Sequence, residues 1–138
     1  MKNTNSRGYG VTLVELITVV AMVAILSMIA FPNYFQYQQR ARRMDAKAAL
    51  QQIATNQERN YVTNLSYTSN LAQLGFSSNQ TESGFYVISV PVADALSFQA
   101  IAVPAPGSRQ ANDSDCQQFT IDNQSTRGAA PDPDGECW

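Results

Sequence analysis

The chain has 138 residues, 44% of them hydrophobic, and a formal net charge of −2, which suits one domain with a small core. It contains no histidine, the commonest general base and metal ligand, and it shows no nucleophile motif, phosphate loop or metal-ligand cluster. An enzyme is therefore the weakest hypothesis, and no catalytic residue, metal or cofactor is expected.

The N-terminal part joins a short polar segment to a long apolar run. Residues 1–10, MKNTNSRGYG, carry Lys2 and Arg7, and the apolar run then extends for 21 residues from Val11 to Phe31. An ordinary secretory signal instead has a shorter apolar core followed by a small-residue cleavage site. As an α-helix the run would reach about 31 Å, close to the hydrocarbon thickness of a bilayer. The pattern predicts a membrane-spanning helix.

Glu15 is the only charged residue in this run. A carboxylate at mid-membrane costs about 2.5–3.5 kcal/mol, whereas the twelve Val, Leu, Ile and Phe residues return about 4–7 kcal/mol. The segment is therefore expected to insert with Glu15 near one end. The carboxylate either reaches toward water without a function or pairs with a cation on another chain, and we favour the second interpretation.

The sequence GVTLVEL, from Gly10 to Leu16, resembles the type IV prepilin motif, usually written G-F-T-L-[IV]-E-L. The resemblance implies that a prepilin peptidase removes residues 1–10 and methylates the new N-terminus at Val11, where the family usually has Phe. Cleavage after Gly8 would place Leu13 at the fifth position, whereas cleavage after Gly10 places Glu15 there. The α-amino group of Val11 is then expected to pair with Glu15 of a neighbouring subunit during assembly.

The resemblance also implies partners and a location. The partners are other pilin subunits, contacted through the N-terminal helix, the prepilin peptidase/methyltransferase and the inner-membrane pilus assembly machinery. Before assembly the subunit is expected to be a single-pass inner-membrane protein with a cytoplasmic leader and a periplasmic head. Afterwards it is expected in the extracellular pilus.

A second helical half is predicted beyond Pro32. Proline kinks or ends a helix, and pilins similar to this chain continue as a bent helix here. Apolar residues recur at helical spacing farther on, so one kinked helix is predicted from about Val11 to Val62. Its segments are residues 11–32, for the membrane and filament core, and residues 33–62, an amphipathic half with these periodic residues: Ala46, Ala49, Leu50, Ile53, Ala54 and Tyr61.

Charge is unevenly distributed beyond the apolar run. A basic cluster in the second half of the helix is interpreted as a solvated face, with contact to anionic lipid or to a partner as the alternative; it comprises Arg40, Arg42, Arg43 and Lys47. From Tyr61 onward eight acidic residues face only Arg109 and Arg127. This excess repels phosphate and disfavours nucleic acid as a partner.

Residues 63–138 are predicted to form a globular head. A polar loop over residues 63–84 carries one short helix at Leu71–Leu74, stopped by Gly75. β-rich runs then indicate two hairpins, so the fold class is α+β, with the long helix packed on a four-stranded antiparallel sheet. The predicted strands are Phe85–Val92, Leu96–Val103, Gln117–Asp122 and Thr126–Ala130.

Cys116 and Cys137 are expected to form a disulfide, because an exported protein with an even pair of cysteines favours one. The bond would close a C-terminal loop over residues 116–137. Within it, residues 131–136 are interpreted as a tight surface turn rather than a calcium loop, because the alternating Asp/Asn pattern of an EF-hand is missing. The Cys-Trp ending is similar to that of minor pilins of the PilE type.

The resemblance implies a structural subunit of a type IV pilus. We favour a minor pilin that promotes assembly and enters the fibre, with roles in twitching motility and adhesion. A major pilin, a DNA-uptake pilin and a pseudopilin of type II secretion are the alternatives.

Overall fold

The computed structural model describes residues 10–138, except for the side chains at positions 32 and 33. Apart from Gly10, the predicted leader lies outside the described residues. The chain divides into two compact units, Met1–Tyr37 and Gln38–Trp138, and each is described by itself.

One helix, α1, occupies Leu13–Asn64, so the predicted long helix is confirmed with both ends two residues later. It begins after Thr12, whose side-chain oxygen accepts a hydrogen bond from the Glu15 backbone N–H at 3.2 Å, as an N-cap does. It ends where Leu65 adopts a left-handed φ of 55°. The kink expected at Pro32 stays a prediction, because that side chain lies outside the described residues.

The head contains a four-stranded antiparallel sheet in the order β1-β2-β3-β4. The strands are β1 (Tyr86–Ala93), β2 (Phe98–Pro104), β3 (Gln118–Asp122) and β4 (Arg127–Ala130), so all four predicted strands are confirmed within two residues. The register between β1 and β2 shifts between Ser89 and Val92, around Pro91. Pro91 has no backbone N–H to donate, and this is tolerated because β1 is an edge strand.

The core of the head lies between α1 and one face of this sheet. Because side chains alternate along a strand, every second residue of β1, β2 and β3 points into the same layer. The helix contributes residues at spacings of three and four to that layer. The principal buried side chains are Ala46, Ala49, Leu50, Ile53, Tyr86, Ile88, Phe98, Ala100, Ala102, Phe119 and Ile121.

Three amide side chains of α1 hold the loop that follows the helix. Gln57 is fully buried and bonds Thr68 twice: its Nε2 donates to the backbone oxygen at 2.6 Å, and its Oε1 accepts the N–H at 3.0 Å. Asn56 Nδ2 donates to the carbonyl of Leu74, and Asn60 Nδ2 donates to that of Ser66, each at 2.8 Å. These amides satisfy backbone groups that have no sheet partner.

The short helix predicted at Leu71–Leu74 is wrong. This stretch forms successive turns in which the N–H groups of Gln73, Leu74 and Gly75 each donate to the carbonyl three residues earlier, as from Leu74 to Leu71 at 3.1 Å. Gly75 then takes a left-handed φ of 81°. The chain reverses direction at Gly75, so the glycine ends this series of turns and not a helix.

The C-terminal region is closed by the predicted disulfide, which is confirmed. Cys116 and Cys137 are bonded with their Cα atoms 5.8 Å apart, and both are buried. A short 3-10 helix, Arg109–Asn112, precedes this region and had no counterpart among the predictions. Trp138 packs its ring 6.0 Å from that of Phe119, which joins the chain's end to the core.

Candidate functional site

The first unit presents a continuous apolar surface. From Val11 to Phe31 every large hydrophobic side chain is exposed, with exposed fractions between 54% and 76%. Helix α1 is long and apolar enough to cross a membrane, and none of its most apolar stretch is buried in the described chain. Burying such a surface releases free energy at about 25 cal/mol per Å², so it favours a covering that this unit does not itself supply.

The polar side chains of this stretch are satisfied within the helix. The hydroxyl of Thr18 donates to the carbonyl of Val14, and that of Ser27 donates to the carbonyl of Val23 at 2.7 Å. Such bonds satisfy the hydroxyl groups in an apolar medium, where an unpaired polar group is energetically costly. The surface can therefore be desolvated at little cost from these two residues.

Glu15 lies in the first turn of α1, three residues after the N-cap Thr12. A carboxylate at this position interacts favourably with the unpaired N–H groups of the helix start. The T-x-x-E spacing from Thr12 to Glu15 indicates this local role, which is additional to the two interpretations given above for the carboxylate. Within the described residues, no ion pair forms at the Glu15 carboxylate.

Gly10 and Val11 precede the helix, and both are exposed. A Cβ atom added to Gly10 would meet nothing within 4 Å, and its φ lies outside the left-handed region. Neither close packing nor backbone conformation therefore demands glycine at this position.

The basic cluster of α1 lies against acidic residues that flank the two cysteines. The prediction of a solvated face is wrong for Arg43, which is only 6% exposed. Arg40 is exposed but pairs with Glu136 at 2.9 Å. Arg42 donates to Gln38 at 3.0 Å and lies over the ring of Phe85. These arginines thus make contacts within the chain, and the acidic partners of Arg40 and Arg43 are too distant in sequence for local spacing to indicate.

Arg43 and Asp113 form a buried two-point ion pair. Arg43 Nε donates to Asp113 Oδ2 at 2.7 Å, and Nη2 donates to Oδ1 at 2.8 Å. Gln110 Nε2 donates to the same carboxylate at 2.5 Å. The hydrogen bond to Asp113 outweighs desolvation and raises the pKa of Arg43. This pair anchors the segment before Cys116 to the helix.

Two neighbouring groups respond to the same environment. Desolvation, and after it the positive charge of Arg43, lowers the pKa of Lys47, although Asp132 opposes that shift. Burial of the phenol, and after it the charge of Asp113, raises the pKa of Tyr86 well above its usual range. Both shifts follow from partial removal of water around a charged pair.

The turn at residues 131–136 has structural partners. Asp132 Oδ1 accepts a hydrogen bond from the N–H of Cys137 at 3.2 Å, and Glu136 pairs with Arg40. In the described part of the chain, no group of three or more His, Cys, Asp or Glu side chains is placed to hold a metal ion. Asp132 and Glu136 therefore stabilise the disulfide-closed region.

A family model described as type IV minor pilin ComP, DNA uptake sequence receptor, matches residues 32–120, which is more than half of the chain. The chain belongs to the type IV pilin family. The match begins directly after the apolar run and includes strands β1 and β2 and the first part of β3.

Two relatives agree with this assignment. The type IV major pilin protein PilA of Myxococcus xanthus is 31% identical over 104 residues, which cover 75% of this pilin and 47% of that protein. The chain thus spans about half the length of the curated relative it matches. A type IV pilin structure from Shewanella oneidensis shares 29% identity at a TM-score of 0.50, covering 72% of this chain and 97% of that one. The predicted fold class is confirmed by this likeness.

Proposed function

We propose that this pilin is a structural, minor subunit of a type IV pilus and assembles through the apolar part of α1. The observation that carries the proposal is the uncovered apolar surface from Val11 to Phe31. Lipid covers that surface while the subunit is a single-pass inner-membrane protein with a periplasmic head. Equivalent helices of other subunits cover it in the extracellular fibre.

The proposal includes removal of residues 1–10 by a prepilin peptidase, which also methylates Val11. Support comes from Gly10, whose identity neither packing nor backbone conformation explains. Exposure of both Gly10 and Val11 leaves the bond between them accessible to such an enzyme. Cleavage there creates an α-amino group on Val11, four residues before Glu15. Val11 then becomes the first residue of the mature subunit.

In this scheme Glu15 pairs with the new amine of a neighbouring subunit and sets the register between two helices. Its location supports the pairing, because an apolar surface surrounds the carboxylate and no described residue forms an ion pair with it. A buried charge that loses its partner costs about 3–5 kcal/mol. A subunit inserted in the wrong register would leave this charge unpaired. The free-energy penalty would therefore be larger than the penalty from imperfect apolar packing alone.

Two substitutions separate the charge of Glu15 from its role at the helix start. Glutamine can replace glutamate in a capping box but carries no charge. We expect Glu15→Ala and Glu15→Gln both to be cleaved normally, because position 15 lies beyond the scissile bond, and both to be missing from filaments. Immunoblots of membrane and sheared-pilus fractions measure both steps. Normal incorporation of Glu15→Gln would contradict the charge pairing and leave only the capping role.

The assignment as a minor subunit is supported by the family model, which describes a minor pilin and covers most of the head. The curated relative is a major pilin, so the major role is the alternative. Stoichiometry separates the two roles. We expect this subunit to form a small fraction of the protein in sheared pili, and a dominant band would support the major role instead.

DNA capture is the second candidate, because the matched family model describes a DNA uptake sequence receptor. The charges of this chain argue against it. From Gln38 onward there are ten acidic residues and seven basic ones, and Arg40 and Arg43 are paired with acids. A net negative surface repels phosphate, whereas DNA binding draws most of its affinity from cationic contacts. Tight binding of duplex DNA in a low-salt gel shift would revive this candidate.

A further inference from the structure

The head contains a cavity that the pilus-subunit role does not use. It lies between α1 and the loop over residues 75–84 and has a volume of about 570 Å³, within the usual range for small-ligand sites. The helix supplies one wall with Asp45, Ala48 and Gln52, and the loop supplies the other with residues that include Phe76, Ser77 and Glu82.

Two hydrogen bonds attach the loop region to α1, one on each side of the cavity. At one end the carbonyl of Leu74 accepts a hydrogen bond from Asn56 Nδ2 at 2.8 Å. At the other end the hydroxyl of Thr81 donates to Asp45 Oδ2 at 2.5 Å, and Thr81 also accepts from the N–H of Tyr86. Ala48, facing the gap, is too small to fill it. The cavity is therefore formed before any ligand arrives.

The lining suits a ligand rich in hydroxyl groups. Besides its two carboxylates it contains two amides and four hydroxyl-bearing side chains, which together supply donors and acceptors on both walls. Phe76 adds one aromatic ring. Among the described residues that line the cavity, none is Lys or Arg, so the carboxylates would repel an anion. Alanines and a single ring offer too little apolar surface for a hydrophobic ligand.

A polyol fits this cavity better than a simple cation does. Asp45 already shares one oxygen with Thr81, and Glu82 is exposed where water screens its charge. What remains are the hydrogen-bonding side chains of Gln52, Ser77 and Gln80, with the half-buried ring of Phe76 also in the lining. We propose that this cavity is a binding site for a neutral saccharide, such as one or two sugar rings of a surface glycan. This site would let the filament contact carbohydrate, and it does not depend on whether the subunit is major or minor.

Adjacent glutamines on α1 provide a matched test. Gln52 lines the cavity whereas Gln51 does not, and both are exposed helical residues. The full chain, labelled with ¹⁵N in micelles of a detergent without a sugar headgroup, is titrated with maltose, lactose and chitobiose. We expect saturable shifts of the Ser77, Ser78 and Gly84 amides with at least one sugar. Gln52→Ala should weaken that binding roughly 3–10-fold, as for loss of a hydrogen bond, and Gln51→Ala should leave it unchanged.

A second pair of variants guards against a change in folding. Ala48→Trp fills the cavity from the exposed side of the helix and should abolish the shifts, whereas Ala41→Trp makes the same exchange outside the cavity. The proposal is overturned if no sugar shifts these amides at tens of millimolar, or if Gln52→Ala and Gln51→Ala bind alike. It is also overturned if arginine amide produces the larger saturable response, which would identify the ligand as a cation.

Discussion

The two halves of α1 differ in how far their apolar side chains are buried. In the second half of α1, Ile53 is fully buried because the four-stranded sheet of the head covers that side of the helix. In the first unit, Ile17 is of the same residue type on the same helix, yet it is 59% exposed. The comparison teaches that the chain itself covers the apolar face of the second half of α1 but leaves the apolar side chains of the first turns uncovered among the described residues.

Charges follow the same contrast. In the second unit, the guanidinium of Arg43 pairs with Asp113, whereas in the first unit no described residue forms an ion pair with Glu15. A charge with an internal partner should matter for folding. A charge that lacks one should matter for assembly.

The largest effect is expected from breaking the buried pair. Arg43→Ala leaves the Asp113 carboxylate buried without its cation, so we expect the free energy of unfolding of the full chain to fall by about 3–5 kcal/mol. Arg40→Ala removes only a surface ion pair and should cost no more than about 1 kcal/mol. Urea unfolding in micelles measures both changes. Equal midpoints for the two variants would show that Asp113 finds another partner.

The second effect sharpens the comparison between the two isoleucines. Ile53→Ala opens a cavity in the core, so we expect a loss of about 2–5 kcal/mol in the stability of the head. Ile17→Ala should leave the unfolding of the head unchanged but reduce the amount of subunit in sheared filaments. The same urea titration, together with an immunoblot, tests the pair. A stability loss in Ile17→Ala would mean that the apolar segment supports the head.

The smallest effect concerns the β1–β2 turn. The Asp94 carboxylate accepts N–H bonds from Leu96 at 2.7 Å and Ser97 at 2.8 Å, and these bonds lower the pKa of Asp94 below its ordinary value of 3.8. A lowered pKa adds stability that is present above pH 3.8 and is lost as the pH falls through the folded-state value. Asp94→Asn keeps an acceptor oxygen but does not titrate.

The wild-type chain should therefore unfold at slightly higher urea than Asp94→Asn at about pH 6, and this gap should close at about pH 2. The rest of the chain titrates in both proteins, so it cancels in the comparison. A gap that persists at the acid end would assign the stabilisation to geometry rather than to charge.

Periodic features of the sequence predicted most of the fold. Helical spacing at Ala46, Leu50 and Ile53 identified the buried face, and two β-rich pairs identified the hairpins. The cysteines paired as expected. The helix and strand predictions succeeded because they depend on residues that are close in sequence. The disulfide prediction succeeded because paired cysteines in exported proteins usually form one.

Long-range contacts escaped prediction because no local pattern encodes them. Arg43 meets Asp113 across 70 residues, so its charge was assigned to a solvated face. Gln57 was not singled out as a buried residue, because an amide enters a core only where a loop offers backbone groups to bond. The polar cavity formed by the loop over residues 75–84 was missed for the same reason: its walls are brought together by Asn56 and Thr81.

The central claim is that an amine made by proteolysis allows the uncovered helix to assemble, and the mass of the subunit in sheared filaments tests it most directly. The account predicts a chain that begins at Val11, carries an added methyl group and lacks residues 1–10. A filament subunit that retains those ten residues would contradict it, because the amine that Glu15 is proposed to meet would never form.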